Sequence, residues 1–211
     1  TKILIINLDA MGDVLMTTAQ LPLLKKKYPE STIYWITLKN AFGLLLNNPL
    51  LDKVYVYDFE SLSILENIKF DLVMNVDKSQ RSSAILMKMN SKEKLGFGLS
   101  ENGKIIPINK GAEYNYLLGM DDHLKFKVNQ RLGQEYLAET FNLDYERTGY
   151  TFEFTDDEKQ FIANYKKEVG ISDSEEVIGF NTGCSELYPN KKMTIEQHVA
   201  LIDKFLSFNR F

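Results

Sequence analysis

An α/β fold with a mainly parallel sheet is the class this sequence predicts, on three observations. The chain opens on Lys2-Ile3-Leu4-Ile5-Ile6-Asn7-Leu8, apolar and β-branched enough for a buried strand. Strand-length apolar runs then alternate with helical patterns, as they do when crossover helices join parallel strands. Between the first run and the first helical pattern lies Asp9-Ala10-Met11-Gly12-Asp13. That turn puts carboxylates beyond the carboxyl end of a strand, where open α/β sheets keep their ligand crevice.

The elements follow in order. Val14, Thr17, Thr18, Leu21, Leu24 and Tyr28 have helical spacing, and Pro22 is expected to kink that helix. Thr32 to Leu38 reads as a second strand. Ala41 to Leu46 reads as a short helix, stopped by Asn47-Asn48-Pro49. Lys53 to Tyr57 is a third strand, Glu60 to Asn67 a helix, Asp71 to Val76 a fourth strand and Ser79 to Met89 a helix. Lys94 to Phe97 is a short fifth strand. Ser100 to Met120 lacks a clear period and reads mostly as loop.

A long helical pattern spans Asp122 to Phe141, and Thr151 to Phe154 is strand-like. Thr155-Asp156-Asp157-Glu158 is a capping box for a helix that ends near Val169-Gly170. Val177 to Asn181 then reads as a fresh strand, Thr182 to Lys192 as a loop, and Thr194-Ile195-Glu196-Gln197 as the start of a last helix. One strand and one helix cannot bury their own apolar face. A second α/β unit is expected from about residue 172; either it packs onto the first domain or, the favoured reading, the natural protein continues it.

The chain has 211 residues, a formal charge of −4 and 44% hydrophobic residues. Such a balance has no basic footprint for nucleic acid. A single cysteine, Cys184, gives no internal disulfide framework and fits a reducing compartment. No apolar run reaches the roughly 20 residues of a membrane span, and a signal peptide ahead of the first strand is not expected. The expected setting is the cytoplasm, with peripheral contact at the inner face of the membrane. Lys25-Lys26-Lys27 reads as a solvated helix end with some attraction to anionic headgroups. His123 and His198 are too isolated for a metal site, and Gly96-Phe97-Gly98 is no dinucleotide fingerprint. Tyr114, Tyr116, Phe126 and Tyr136 read as core.

Two segments together resemble the family 9 glycosyltransferases, the lipopolysaccharide heptosyltransferases and their relatives. The first runs from Lys2 to Tyr55: Ile-Leu-Ile-Ile, Met-Gly-Asp-Val-Leu-Met-Thr-Thr, Leu-Pro-Leu-Leu-Lys-Lys-Lys-Tyr-Pro and Asn-Asn-Pro-Leu-Leu-Asp-Lys-Val. The second is Ile178-Gly179-Phe180-Asn181-Thr182-Gly183-Cys184-Ser185 with Lys191-Lys192-Met193. Asp122-His123-Leu124-Lys125-Phe126 to Asn129-Gln130 is similar to the interdomain helix of the heptosyltransferase II branch. Two departures stand out: Met193 replaces the usual Trp, and the family's later Gly-Pro-x-His step has no counterpart here.

The resemblance implies a GT-B architecture. Residues 1–155 would form a Rossmann-like acceptor-binding domain, 156–171 a connecting helix, and 172–211 the start of a nucleotide-sugar-binding domain. It implies an inverting, metal-independent transfer of a sugar, often heptose from ADP-heptose, to a lipopolysaccharide-core or similar glycan. The partners would be a nucleotide-sugar donor and a glycolipid or oligosaccharide acceptor, with no cofactor. The alternative is a non-catalytic glycolipid- or partner-binding module on the same fold.

Inversion needs a base within hydrogen-bond reach of the acceptor hydroxyl. The family motif carries that role to Asp13, and the position of the turn agrees. Otherwise Asp13 simply caps a helix starting at Val14. Asp9 is a rival base that more readily holds the loop or touches acceptor. Gly12 would supply close backbone approach or a positive φ. Thr17 lines the acceptor side or faces the sheet. For the departing diphosphate, Thr182, Gly183 and Ser185 offer donors, and Lys191 offers charge beside a helix N-terminus. Cys184 reads as a small loop residue. Lys191 and Lys192 would otherwise be two solvated lysines.

Overall fold

The computed structural model describes residues 1–172, 174–175, 177–183 and 192–208. They form two compact units, Thr1–Thr155 and Asp156–Phe211. In the first, β1 (Lys2–Ile6), α1 (Met11–Thr17), α2 (Leu21–Lys27), β2 (Thr32–Thr37), α3 (Lys39–Leu45) and β3 (Lys53–Val56) come first. Then follow α4 (Phe59–Glu66), β4 (Phe70–Asn75), α5 (Gln80–Lys88), β5 (Ser91–Leu99), β6 (Ile105–Pro107), α6 (Glu113–Leu117) and α7 (Gly133–Thr140). The sheet order is β3-β2-β1-β4-β5-β6. Five strands run parallel, and β6 pairs antiparallel to β5.

Alternation along each strand builds a core on each face of the sheet. Ile3 and Ile5 pack with Ile33, Trp35, Leu72 and Met74 beneath the first helices. Leu4 and Ile6 pack on the opposite face with Ile36, Val73, Leu65 and Leu86. A one-residue slip would exchange the two sets, so burial fixes the register Ile3↔Ile33 and Ile3↔Leu72. Helix starts are set locally: Asp58 Oδ1 accepts from Ser61 N at 2.7 Å, and Ser79 Oγ from Ser82 N at 3.2 Å.

Several expectations are corrected. The helix expected over Val14 to Tyr28 is two helices joined by a 3₁₀ turn, Thr18–Gln20. Pro22 lies in the first turn of α2, where its missing N–H breaks no bond. The fifth strand is longer than its apolar part, because its polar first half pairs along β4. The segment read as loop holds β6, the 3₁₀ turn Lys110–Ala112 and α6. The long helix over 122–141 is broken into a π-type turn, Leu124–Val128, and α7. Asn129 makes that break: its Oδ1 accepts from Arg131 N at 3.1 Å and from the Tyr114 hydroxyl at 2.6 Å.

Thr151 to Phe154 forms no strand; Thr151 N instead donates to Thr18 Oγ1 at 3.0 Å. The three lysines form the basic last turn of α2, with Lys26 and Lys27 exposed as expected. Lys25 Nζ donates to Ser31 O at 2.6 Å, Lys27 Nζ to Asn142 O at 2.6 Å, and Lys26 pairs with Glu146. The tyrosines of the expected aromatic core are half-buried, and Phe126 is exposed.

In the second unit, α8 (Asp156–Glu168) closes on Gly170, whose φ of 74° takes the left-handed cap conformation. Helix α9 (Ile195–Leu206) opens on a capping box: Gln197 N donates to Thr194 Oγ1, and Thr194 N donates to Gln197 Oε1. His198 is buried there, with Nδ1 2.9 Å from Thr194 O. The expected strand Val177 to Asn181 is irregular, because no neighbouring strand among the described residues of this unit completes its ladder.

Gly96 shows how tightly β4 and β5 meet. Its φ is +98°, and an added Cβ would lie 1.9 Å from Asn75 O. Gly96→Ala should therefore destabilise the chain by about 3 kcal/mol, read as a lower midpoint in urea unfolding.

Candidate functional site

The sheet order reverses between β1 and β4: the chain leaves β1 toward β2 and leaves β4 toward β5. A crevice opens where neighbouring parallel strands part in this way. The last ladder bond there runs from Val76 N to Ile6 O at 3.3 Å. One step further, Leu8 N donates to Asp77 Oδ2 in a short, buried bond. Asn75 holds Asp77 in place: its Oδ1 accepts from Asp77 N at 3.1 Å, and its Nδ2 donates to Asp77 O at 3.1 Å. On the β1 side, Asn7 Nδ2 donates to Thr17 Oγ1 at 2.9 Å, and that hydroxyl donates to Asp13 O at 2.8 Å.

A pocket of about 170 Å³ lies at this opening. Asp9, Asp13 and Asp77 line it from the ends of β1 and β4. Gln134 and Tyr136 of α7 and Asn115 of α6 supply neutral polar groups, and Met16, Val76 and Leu137 supply apolar surface. Helix α7 is fixed to the first helices by Gln134, whose Nε2 donates to Met16 O at 2.9 Å and whose Oε1 accepts from Gln20 at 2.8 Å.

Burial sets the electrostatics. It pushes the Asp77 carboxyl up to about 7; the Leu8 N–H and Arg81 oppose the rise, while the charges of Asp9 and Asp13 add to it. Burial likewise lowers Lys78 to about 8, helped by Lys125 and opposed by Asp9. Tyr136 is raised by desolvation, by Tyr114 and by Asp13. Such displaced carboxyl and amine groups concentrate at functional sites.

The site residues expected from the sequence separate as follows. Asp13 lines the pocket as the third residue of α1, so it does not precede a helix starting at Val14. Asp9 and Thr17 line the pocket beside it, with Asp9 Oδ1 accepting from Ala10 N at 2.8 Å. Of the two uses expected of Gly12, the left-handed backbone is absent and the open approach is kept. It takes no positive φ, and an added Cβ would meet nothing within 4 Å. Thr182 and Gly183 are exposed residues of the second unit, with Gly183 N donating to Asn181 Oδ1 at 3.1 Å. Cys184, Ser185 and Lys191 lie outside the described residues. His123 is exposed, and among the described residues no group of three or more His, Cys, Asp and Glu is arranged to hold a metal. No helix among them is long and apolar enough to cross a membrane.

Sequence reasoning missed Asp77, Asn115, Gln134 and Tyr136. Asp77 carried a usable signal, since it follows β4 as Asp9 follows β1. The others arrive through α6 and α7, whose positions depend on contacts distant in sequence.

The fold and the crevice define an α/β protein with a mainly parallel sheet and a carboxylate-lined pocket at the switch point. The likeness to glycosyltransferase family 9 holds in sequence and in structure. Over 105 residues, 46% of this chain and 30% of the relative, it is 29% identical to lipopolysaccharide heptosyltransferase 1 of Campylobacter coli. Over 116 residues, 50% of this chain and 33% of the relative, it is 30% identical to the lipopolysaccharide core heptosyltransferase OpsX of Haemophilus influenzae. Those matches span about a third of the length of the curated relatives. A family 9 glycosyl transferase structure from Veillonella parvula superposes with a TM-score of 0.72 at 21% identity, covering 97% of this chain and 59% of that one. The E. coli ADP-heptose lps heptosyltransferase II gives 0.62 at 17% identity, covering 98% and 62%. No protein-family profile matches the chain.

The raised Asp77 pKa fixes a pH dependence. Between the ordinary carboxyl value of 3.8 and about 7, the folded chain keeps a proton that the unfolded chain has released. Its stabilising effect is full below the lower value and lost as pH rises through the upper one. Asp77→Asn should flatten this decline, by about 4 kcal/mol at most, in urea-unfolding midpoints measured across that window.

Proposed function

We propose that this chain is the acceptor-side part of an inverting, metal-independent glycosyltransferase of the heptosyltransferase kind. Residues 1–155 hold the acceptor, 156–171 connect, and 172–211 begin the domain for the nucleotide-sugar donor. The observation that supports this reading is the place of Asp13: it lines the pocket at the switch point, in the sequence segment Lys2 to Tyr55 that resembles family 9.

In the reaction, the Asp13 carboxylate takes the proton of an acceptor hydroxyl as that oxygen attacks the anomeric carbon of the donor. The bond from that carbon to the diphosphate breaks, and the sugar is transferred with inversion. Asp9 and Thr17 orient the acceptor; Gly12 keeps the entrance of α1 free of side chain. The anionic leaving group is met by Thr182, Gly183, Ser185, Lys191 and the amino end of α9. ADP-heptose is the donor suggested by the solved relative named for it. The acceptor is a lipopolysaccharide-core sugar or similar glycan, met at the cytoplasmic face of the membrane.

The test is turnover of the full-length protein. Asp13→Asn should lower turnover about 10³-fold with the melting temperature and acceptor binding kept. Near-normal turnover in Asp13→Ala, with loss in Asp9→Ala, would move the base to Asp9.

A further inference from the structure

The main chain that leads from β1 to Asp13 is held at Leu8 from across the opening. Leu8 N donates to Asp77 Oδ2 in a buried bond, and Arg81 Nη2 donates to Leu8 O at 3.4 Å. Both main-chain polar groups of Leu8 are therefore bound by side chains of the segment that follows β4. The neighbouring N–H groups are met differently. Asn7 N donates to Ile36 O at 3.1 Å, Asp9 N to Asn7 Oδ1 at 3.3 Å and Ala10 N to Asp9 Oδ1 at 2.8 Å. Of these N–H groups, that of Leu8 alone is fastened to the β4 side.

The hold is anchored at both ends. Asp77 O accepts from Asn75 Nδ2 and from Ser82 Oγ at 3.2 Å, and Asn75 Nδ2 also donates to Phe97 O at 2.6 Å. Asn75, Asp77 and Ser82 are all buried. The Leu8 side chain is buried in the cluster that contains Ile36, Tyr55 and Leu65. Arg81 is exposed, and its guanidinium lies 5.1 Å from the centre of the Tyr57 ring. A bond to the Leu8 N–H alone would satisfy a buried donor. Bonds to the N–H and the C=O that flank one Cα also fix the direction in which the chain leaves it. From there the hold passes into α1, because Val14 N donates to Ala10 O at 3.0 Å and closes the helical turn that contains Asp13.

We infer that Asp77 and Arg81 are positioning residues for Asp13: they clamp Leu8 and so set where the turn from Asp9 presents the base. The inference rests on the reading of Asp13 as the base and adds how that base is placed. Neither residue needs to touch substrate in this role. A shift of about 1 Å at a reacting group costs on the order of 10²-fold in rate, so a clamp three residues ahead of α1 is felt in turnover.

The test joins turnover of the full-length protein, with ADP-heptose as donor and a lipopolysaccharide-core glycolipid as acceptor, to hydrogen exchange at the Leu8 amide. Burial holds the Asp77 carboxyl toward its neutral form, so asparagine, neutral and with an acceptor oxygen in the same place, is the conservative replacement. Asp77→Ala should lower kcat by about 10- to 100-fold with KM for both substrates kept, and should speed Leu8 exchange. Asp77→Asn should restore kcat and slow Leu8 exchange again. Arg81→Ala, at an exposed position where folding is not at stake, should lower kcat severalfold with KM kept. Unchanged kcat in Arg81→Ala overturns the inference, as does a loss in Asp77→Asn as deep as in Asp77→Ala. A raised acceptor KM in Arg81→Ala overturns it too, since Arg81 would then bind substrate. Asp13→Asn keeps the two readings apart. If that variant retains turnover, the base assignment falls; if it loses turnover while Arg81→Ala does not, the clamp alone falls.

Discussion

The bond from Leu8 N to Asp77 Oδ2 is the constraint on which the site depends. Parallel strands β1 and β4 must part, because their crossovers lead to opposite halves of the sheet. Where they part, the ladder ends and a buried N–H is left without a backbone partner. An unsatisfied buried donor costs about 1–3 kcal/mol. Asp77 meets that need from the far strand and closes the end of the sheet by a side chain. The closure also brings a carboxyl into desolvated surroundings, and the rise in its pKa is the consequence.

The other side of the opening follows from the same geometry. Asn7 points its amide at Thr17, and the Thr17 hydroxyl bonds back to Asp13 O. The turn after β1 is thereby tied to the first helix along its length. Asp9 and Asp13 are left at the pocket with their backbone fixed. Helix α7 then covers the opening through the pairing of Gln134 with Gln20 and Met16. Strand order, two amide side chains and one distant helix make the pocket.

The legible part of this arrangement was the local part. Strands β1 to β4 could be read because their apolar runs are long and their helices start on local caps such as Asp58 and Ser79. Asp9, Asp13 and Thr17 could be placed because they follow β1 directly. Residues 100 to 141 could not, since their shape comes from bonds between distant segments. Asn109 Nδ2 donates to Thr140 O at 3.0 Å, and a Cβ on Gly111 would lie 2.0 Å from Glu139 O. Neither contact leaves a periodic trace in the sequence. The acceptors of Lys25, Lys27 and Lys26, at Ser31, Asn142 and Glu146, leave no such trace either, because tertiary packing sets them.

Burial also separates the roles of the carboxyl groups. Asp77 is 4% exposed and is driven toward its neutral form near pH 7, whereas Asp13 lies exposed in the first turn of α1. The free N–H groups of a first helical turn favour negative charge nearby. Negative charge on Asp9 and Asp13 pushes Asp77 further toward holding a proton. A neutral Asp77 can accept from Leu8 N with one oxygen and donate from the other. Two carboxyls a few residues past adjacent strands thus sit in different surroundings, one buried and one exposed. Depth below the surface is the largest cause of the state of Asp77, and the groups around it adjust that state in both directions.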